Sequence, residues 1–381
     1  MEETRILIAD DQADVLEALQ ILLKNEGFAT EVVTSPRAVV EAVEKKAYDI
    51  LLLDLNYARD TTSGGEGLEL LSKLQTIDNS LPVVLMTAWG SVDLAVQTMQ
   101  GGGRDFIQKP WDNERLLGTL RRHVEEGRAL REKRRREKAA EWLIREIEEA
   151  REIQQRLLPA EMPHVKGCEI QASWQPANDV GGDYFDAIHL SDTSAAFCIA
   201  DVSGKGLPAA LLMSNTQATV RAFSHRTASP AEMCAQLNRI VAENMSSGKF
   251  ITMFYGVLDT ARHKLRYTNA GHIPPVLIRK DGSLERLGEG GIVLGVLTDA
   301  TYDEVEVSFA PGDRLVLFTD GITEANDTLD DEFGMDRLTE LLVLHRAKPA
   351  SQMLGAILHE VGQFTAQGFQ DDATVLIITM E

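Results

Sequence analysis

The sequence predicts two domains of different fold class, joined by a long helix. In residues 1–122, short apolar strands alternate with amphipathic helices, which is typical of a doubly wound α/β domain with a parallel five-stranded sheet. Residues 123–158 combine many charged residues with apolar residues at heptad spacing, which indicates a helical, coiled-coil linker. Residues 159–381 contain many short strands and a few helices without that alternation. We therefore expect an α+β domain in which helices flank an antiparallel β-sandwich.

The elements of the first domain follow from the order of its apolar segments. Strands are predicted at residues 5–9, 29–33, 49–54, 83–87 and 104–108. Helices are predicted at residues 13–26, 36–46, 66–76, 91–101 and 112–125. In open parallel sheets, ligands bind beyond the carboxyl ends of the strands. Asp10, Asp11, Asp54 and Thr87 fall at those ends, so we expect them to lie together.

The linker segment allows two interpretations. Two loose heptads flank the charged tract REKRRREK, the first formed by Leu116, Leu120 and Leu130 and the second by Leu143, Ile147, Ala150 and Leu157. A single solvated helix is one interpretation. A weak parallel coiled coil with an interrupted register is the other, and it accounts for the heptad spacing on both sides. Pro159 and Pro163 then end the helix.

In the second domain, turn residues separate the predicted strands. The segment LRYTNAGHIPPVLIRK, followed by GSLERL, indicates antiparallel strands joined by glycine and proline turns. The segment LPAALLMSNTQATVRAF indicates a helix with Pro208 in its first turn, where the missing N–H is tolerated.

The composition excludes several classes of partner. A formal charge of −21 argues against general binding to nucleic acid or to an anionic membrane, which needs a basic surface. The three cysteines are widely spaced, form no zinc pattern and suit a reducing cytosol. No apolar segment approaches the roughly 20 residues of a membrane helix. We therefore expect a cytoplasmic protein without nucleic-acid or membrane partners.

Carboxylates at the strand ends of the first domain predict a cation site. Asp10, Asp11 and Asp54 would hold one Mg²⁺, because this ion prefers oxygen ligands. Asp54 is the expected nucleophile, since a carboxylate can accept a phosphoryl group when a metal and a lysine neutralise its oxygens. Thr87 and Lys109 would supply the hydroxyl donor and the positive charge. Alternatively, Asp11 only caps a helix and Asp54 only ends a strand.

A second set of carboxylates adjoins apolar strands of the second domain. Asp183, Asp201, Asp320 and Asp371 could hold two divalent ions that share one carboxylate. Two such ions activate water and neutralise the oxygens of a transferred phosphoryl group. No cysteine or serine nucleophile in a recognisable elbow accompanies them, so activated water is the simplest mechanism. Alternatively, each aspartate only lies in a turn or caps a helix.

Four motifs of the first domain, ADD, LLLDL, MTA and DFIQKP, occur in the order found in response-regulator receiver domains, which residues 1–120 resemble. The resemblance implies that Asp54 takes a phosphoryl group from a cognate histidine kinase. It also implies that the Asn56 backbone carbonyl binds Mg²⁺ and that the Lys109–Pro110 bond is cis. The loop NYARDTTSGGEG after Asp54 is longer than usual in the family, which affects phosphoryl lifetime and partner contacts.

The second domain contains GGDYFD, ADVSGKG, MFYGVLD, YTNAGHIPPVL, FTDGITEA and DDATVLI, and AREIQQRLLP precedes it. With these motifs, residues 165–381 resemble the PPM family of metal-dependent serine/threonine phosphatases, in particular the bacterial branch that regulates sigma-factor partner switching.

The PPM resemblance implies two Mn²⁺ or Mg²⁺ ions and a role for each aspartate. Asp201 would bridge both ions and the Val202 carbonyl would complete one site, whereas Asp320 and Asp371 would bind the second ion. Asp183 would act through water on the first. Asp186 and Asp372 are weaker candidates. No arginine precedes GGDYFD, so the substrate phosphate would depend mainly on the metals.

Together the resemblances imply a two-component response regulator in which phosphorylation of Asp54 controls a phosphoserine/phosphothreonine protein phosphatase. The implied substrate is a phosphorylated anti-sigma-factor antagonist, and we expect a homodimer through the linker helix and the receiver. The alternative is a catalytically inactive adaptor that sequesters a partner through a decayed phosphatase domain. Cyclic-dinucleotide signalling would need a GGDEF or HD motif, which GGDYFD resembles only superficially.

Overall fold

The computed structural model describes residues 3–55, 65–87, 96, 99–177, 179–227, 229–245, 248–365 and 368–381. The chain divides into two compact units, Met1–Leu143 and Ile144–Glu381. Asn56 and most of the predicted helix 91–101 lie outside the described residues.

The described part of the first unit contains a five-stranded parallel sheet of strand order β2-β1-β3-β4-β5. Its strands are β1 (Arg5–Ala9), β2 (Ala29–Val33), β3 (Ile50–Asp54), β4 (Val83–Thr87) and β5 (Asp105–Gln108). Its helices are α1 (Ala13–Asn25), α2 (Pro36–Lys45), α3 (Gly65–Ile77) and the first part of α4 (Asn113–Leu157). Apolar clusters cover both faces of the sheet, which confirms the predicted doubly wound fold.

The strands of this sheet differ in burial according to their place in it. Ile50–Asp54 is buried along its whole length, as a central parallel strand covered on both faces requires. Ala29–Val33 lies at the edge and is only half-buried. The strand order reverses between β1 and β3, and the carboxyl ends of these two strands carry Asp10 and Asp54.

Helix α4 is continuous over 45 residues, and the boundary between the two units falls within it. Leu116 and Leu120 are fully buried in the core of the first unit. The prediction that they form a coiled-coil heptad is therefore wrong, because the receiver-like sheet already covers them. Leu143 is 50% exposed, so the second heptad retains apolar surface.

The second unit contains two sheets. Their strands are β6 (Cys168–Gln175), β7 (Tyr184–Ser191), β8 (Ser194–Val202), β9 (Ile251–Asp259), β10 (Lys264–Ala270), β11 (Val276–Ile278), β12 (Leu284–Arg286), β13 (Gly290–Gly291), β14 (Val305–Ser308), β15 (Arg314–Phe318) and β16 (Ala373–Met380). In the described part, one sheet has the order β13-β10-β9-β8-β7, with β14 also paired to β10. The other has the order β12-β11-β15-β16-β6. All described pairings are antiparallel except β10 with β13.

Helices flank the two sheets, as predicted. They are α5 (Leu207–Phe223), α6 (Pro230–Asn244), α7 (Asp320–Thr323), α8 (Gly334–His345) and α9 (Ala350–Phe364). Strand β15 is buried on both faces, because Leu315 and Leu317 join one apolar cluster while Val316 and Phe318 join the other. This double burial explains why an unbroken apolar strand leads directly to the aspartate at position 320.

None of the helices in the described part of the chain is both long and apolar enough to span a bilayer.

Candidate metal centres

The first unit brings together the N-terminal acidic cluster, which we define as Asp10, Asp11 and Asp54. One carboxylate oxygen from each lies within 4.8 Å of the others. Lys109 Nζ lies 2.6 Å from Asp10 Oδ2 and 3.2 Å from Asp54 Oδ2. Thr87 is buried at the carboxyl end of β4, beside β3. The ends of three strands (β1, β3 and β4) and the loop after β5 therefore converge on one edge of the sheet.

The N-terminal acidic cluster fits a hard divalent cation. Asp11 Oδ1 is buried and has no hydrogen-bond partner among the described residues. One lysine ammonium faces three carboxylates, so negative charge is left uncompensated at short range. Oxygen donors of this kind are those that Mg²⁺ takes in proteins. The Lys109–Pro110 peptide bond is cis, as the resemblance to receivers implies.

The second unit brings together the C-terminal acidic cluster, which we define as Asp183, Asp201, Asp320 and Asp371. Strands β7 and β8 are paired, and they carry Asp183 and Asp201 at adjacent ends. Strands β15 and β16 are paired in the other sheet and are adjoined by Asp320 and Asp371. Each of the two sheets thus contributes two aspartates to the C-terminal acidic cluster.

Glycines allow the backbone segments around this cluster to approach closely. A Cβ atom on Gly182 would lie 2.9 Å from the Val202 carbonyl oxygen. A Cβ atom on Gly321 would lie 2.2 Å from the Asp372 carbonyl oxygen. Any side chain at these positions would force apart the loops that carry the aspartates, so the glycines set the spacing of the cluster.

Asp183 is held by two hydroxyl groups. Its side chain is buried, and its Oδ2 accepts hydrogen bonds from Thr319 Oγ1 at 2.8 Å and from Thr374 Oγ1 at 2.5 Å. Burial, followed by the nearby Asp201 carboxylate, raises the pKa of Asp183 well above its usual range, although the two hydroxyls oppose the shift. Sequence reasoning did not single out either threonine.

The other aspartates repel one another. Burial, Asp320 and Asp371 raise the pKa of Asp201 to about 7. Burial and Asp371 likewise raise the pKa of Asp320. Partly buried carboxylates that repel one another are a fitting environment for divalent cations.

The C-terminal cluster is less compact than the N-terminal one. No three of its carboxylates meet the 4.8 Å spacing found in the first unit, within the part of the chain that the structure describes. Repulsion from neighbouring carboxylates nevertheless contributes to the raised pKa values of Asp183, Asp201 and Asp320. This combination suits two ions that share a ligand better than one enclosed ion.

Lys205 is the cation of this cluster, and sequence reasoning missed it. Its Nζ lies 2.8 Å from Asp371 Oδ2 and donates to the Gln370 carbonyl at 3.0 Å. The hydrogen bond to Asp371 raises the pKa of Lys205. Among the described residues, this is the only ion pair that links a lysine or arginine to the cluster. Its place in ADVSGKG, four residues after Asp201, was the available signal.

The two weaker candidates have other partners. Asp186 is fully buried and pairs with Arg221, whose Nε lies 2.7 Å from Asp186 Oδ2. Asp372 accepts from the Ala177 N–H at 2.9 Å and from the Gly182 N–H at 2.7 Å. Asp186 therefore neutralises the half-exposed Arg221, and Asp372 holds the loop that precedes Asp183.

His272 is a buried, neutral side chain that links Thr252 to the backbone at the end of β15. Its Nε2 lies 3.1 Å from the Phe318 carbonyl, which can only accept, so this nitrogen carries the proton. Its Nδ1 then accepts from Thr252 Oγ1 at 2.9 Å. Burial lowers the pKa of His272 to about 4. The contact anchors the end of β15, two residues before Asp320.

A parallel-sheet domain with a lysine-paired carboxylate cluster, followed by a two-sheet sandwich with carboxylates from both sheets, defines a receiver domain joined to a PPM-type phosphatase domain. The family model "Stage II sporulation protein E (SpoIIE)" matches residues 191–381, and "Response regulator receiver domain" matches residues 6–121. The chain belongs to the SpoIIE family and carries an N-terminal receiver domain.

Two curated relatives agree with this membership, and one solved structure shares the fold of the second domain. Phosphoserine phosphatase RsbU of Bacillus subtilis is 32% identical over 234 residues, which cover 61% of this chain and 69% of RsbU. Protein IcfG of Synechocystis sp. is 30% identical over 262 residues, 61% of this chain but only 41% of IcfG. The SiaA-PP2C domain of Pseudomonas aeruginosa shares the fold, with a TM-score of 0.55, 22% identity and coverage of 64% of this chain and 99% of that domain.

Proposed function

We propose that this protein is a two-component response regulator whose output is a metal-dependent phosphoserine/phosphothreonine protein phosphatase. The observation that carries the proposal is the C-terminal acidic cluster, in which two sheets converge and the pKa of Asp201 rises to about 7. RsbU, a relative over most of its length, is named a phosphoserine phosphatase. We propose the domain limits 1–122, 123–158 and 159–381.

The four aspartates would divide the work at this site. Asp201 would bridge two Mn²⁺ or Mg²⁺ ions, with the Val202 carbonyl on one of them, and Asp320 and Asp371 would hold the second. Asp183 would orient a water molecule near the first. When bound, the ions activate water and neutralise the phosphoryl oxygens of the substrate.

Asp54 would be the switch. A cognate histidine kinase would supply the phosphoryl group, with Mg²⁺ on the N-terminal acidic cluster and the Asn56 carbonyl. Lys109 and Thr87 would bind the phosphoryl oxygens. The conformational change that follows Asp54 phosphorylation would pass along α4 to the phosphatase domain. The protein would form a homodimer through the linker helix and the receiver, so that this change would alter the pairing of the two chains. Leu143 offers exposed apolar surface for that pairing.

The proposed substrate is a phosphorylated anti-sigma-factor antagonist, dephosphorylated on serine. The sequence similarity to RsbU and the membership of the SpoIIE family support this choice of substrate. The three cysteines are free and buried, which suits a reducing cytoplasm.

Hydrolysis of p-nitrophenyl phosphate by the full chain, with Mn²⁺ or Mg²⁺, tests the enzymatic proposal against an Asp201→Asn control. We expect metal-dependent turnover that the substitution removes. Turnover no greater than that of the control would favour the adaptor alternative. Comparing phosphoproteomes of wild-type and Asp201→Asn cells would then identify the substrate as the protein that gains phosphoserine.

A further inference from the structure

The motif AREIQQRLLP has no assigned role in the proposed chemistry, yet its Gln154 is a buried polar side chain with two hydrogen bonds. Gln154 lies on α4, one turn before the helix ends at Leu157, and its side chain is 3% exposed. The residues on either side, Ile153 and Gln155, are exposed. A buried amide between exposed neighbours must satisfy its hydrogen bonds inside the protein.

Both ends of the Gln154 amide bond to one residue, Gly181. Gln154 Nε2 donates to the Gly181 carbonyl at 2.7 Å, and the Gly181 N–H donates to Gln154 Oε1 at 2.9 Å. Such a paired contact tolerates neither axial sliding nor rotation of the helix, because either movement breaks two buried hydrogen bonds at once. Gly181 cannot be replaced easily, since a Cβ atom there would lie 2.1 Å from Asp372 Oδ2.

The loop held by Gln154 leads directly into the C-terminal acidic cluster. Gly182 is fixed from the other side by the Asp372 carboxylate at 2.7 Å. The next residue is Asp183, whose side chain is held by the Thr319 and Thr374 hydroxyls. Gln154 is thus bonded to Gly181, which lies two residues before a proposed metal-site carboxylate, Asp183.

The helix end has a second attachment. Gln217 of α5 donates from Nε2 to the Leu157 carbonyl at 3.0 Å. The end of α4 is therefore attached to α5 through Gln217 while Gln154 contacts the loop. A shift of the helix would be transmitted to Gly181 rather than absorbed by a loose helix end.

We propose that Gln154 is a positioning residue that fixes the backbone before Asp183 and so makes metal affinity depend on the placement of the long helix. In this proposal, α4 controls the metal site by changing the position of the Asp183 carboxylate. The contact through which it does so is the pair of hydrogen bonds between the Gln154 side-chain amide and the Gly181 backbone. The regulatory part rests on the proposed phosphatase function. The positioning part concerns metal binding and stands without it.

The test compares the full-length variants Gln154→Leu and Gln154→Glu with the matched control Gln155→Leu. Leucine keeps the side-chain bulk but leaves both Gly181 groups unpaired. Glutamate can still accept from the Gly181 N–H, and it donates to the Gly181 carbonyl only when its carboxyl is protonated. Three measurements are made: Mn²⁺ affinity by calorimetry, fitted separately for the N-terminal and the C-terminal acidic cluster, amide hydrogen exchange across residues 180–184, and turnover of p-nitrophenyl phosphate against Mn²⁺ concentration.

For Gln154→Leu we expect Mn²⁺ affinity to fall on the order of tenfold, as is usual when a group that orients a metal ligand is lost. The Mn²⁺ concentration for half-maximal turnover should rise by the same factor, while kcat at saturating Mn²⁺ stays nearly unchanged. Exchange should accelerate at residues 180–184, and Gln154→Glu should give a smaller change in each measurement. Gln155→Leu should match the wild type.

Wild-type Mn²⁺ affinity in Gln154→Leu would overturn the proposal, as would an equal effect in Gln155→Leu. If Gln154→Leu fails to give a cooperative melt in EDTA, Gln154→Glu decides, and wild-type affinity in that variant overturns the proposal. If the wild type binds Mn²⁺ but turns over no phosphate ester, the proposed phosphatase function fails, while calorimetry and exchange still decide the role of Gln154.

Discussion

The Lys205 ammonium lies 2.8 Å from the Asp371 carboxylate, so a proposed metal ligand is already paired with a positive charge. A divalent ion that binds Asp371 must compete with this contact. Both side chains are about half exposed, which limits the strength of the pair.

Removing this lysine should strengthen metal binding. For Lys205→Gln we expect Mn²⁺ affinity to rise by a factor between about 1.4 and 5, because an exposed ion pair contributes roughly 0.2–1 kcal/mol. Calorimetric titration with Mn²⁺ measures the change. Lys249→Gln is the control, since Lys249 Nζ donates to the Ser203 carbonyl on the same loop. Weaker Mn²⁺ binding in Lys205→Gln would show that the lysine supports the site instead of competing for it.

Removing the Thr374 hydroxyl, which donates a hydrogen bond to Asp183, should destabilise the fold. Thr374→Val keeps the shape but leaves Asp183 Oδ2 with one hydroxyl donor, and we expect a loss of about 1–3 kcal/mol in the free energy of unfolding. Urea denaturation in EDTA measures it. Thr379→Val on the same strand is the control, because its buried Oγ1 has no partner among the described residues. Equal losses in the two variants would mean that Asp183 gains nothing from Thr374.

The raised pKa of Asp201 predicts a pH-dependent effect of Asp201→Asn. A carboxyl with a folded pKa of about 7, well above its ordinary value near 3.8, stabilises the fold at low pH, and this contribution is lost as the pH rises toward 7. In EDTA, asparagine should therefore stabilise the protein by roughly 2 kcal/mol more at pH 7 than at pH 5.

Comparing the two proteins at each pH removes the contribution of His272. Its pKa is lowered to about 4, so its effect on stability has the opposite sign, but it is the same in both proteins. Urea midpoints at the two pH values provide the measurement. A stabilisation that does not change between pH 5 and pH 7 would contradict a raised pKa for Asp201.

Asp54→Asn should abolish phosphorylation of the receiver. Asparagine cannot form an acyl phosphate, so incubation with a radiolabelled small-molecule phosphodonor should leave the variant unlabelled. The turnover of p-nitrophenyl phosphate should also stop responding to the phosphodonor. Asp78→Asn, a substitution in a turn after α3, is the control and should be labelled like the wild type. A labelled Asp54→Asn protein would refute the assignment of the acceptor.

Replacing Leu143 and Ile147 together with alanine should uncouple the receiver from the phosphatase. Leu143 is half exposed, so the double variant should lose little stability while losing the apolar surface proposed for helix pairing. The measured quantity is the ratio of turnover with and without phosphodonor. Leu116→Ala serves as a contrast, because that leucine is fully buried and its loss should cost about 2–5 kcal/mol. An unchanged ratio in the double variant would mean that these residues carry no signal.

Much of the fold could be predicted from local patterns. The strand Ile50–Asp54 is a continuous apolar segment, and Pro36 after Ser35 marks a helix start in which the Ser35 hydroxyl accepts from the Ala38 N–H. The heptad assignment of Leu116 failed for a physical reason. Periodicity shows that a helix has an apolar face, but it does not show whether that face packs on its own domain or on a second chain.

The sequence by itself determined which carboxylates stand at strand ends, because an apolar segment and the polar residue that ends it are neighbours in the chain. Only the tertiary structure decided what those carboxylates contact. Thr374 is 191 residues from Asp183, and Gln154 is 27 residues from Gly181. Hydrogen bonds depend on distance in space, and no local pattern encodes which distant hydroxyl or amide the folded chain brings within 3 Å.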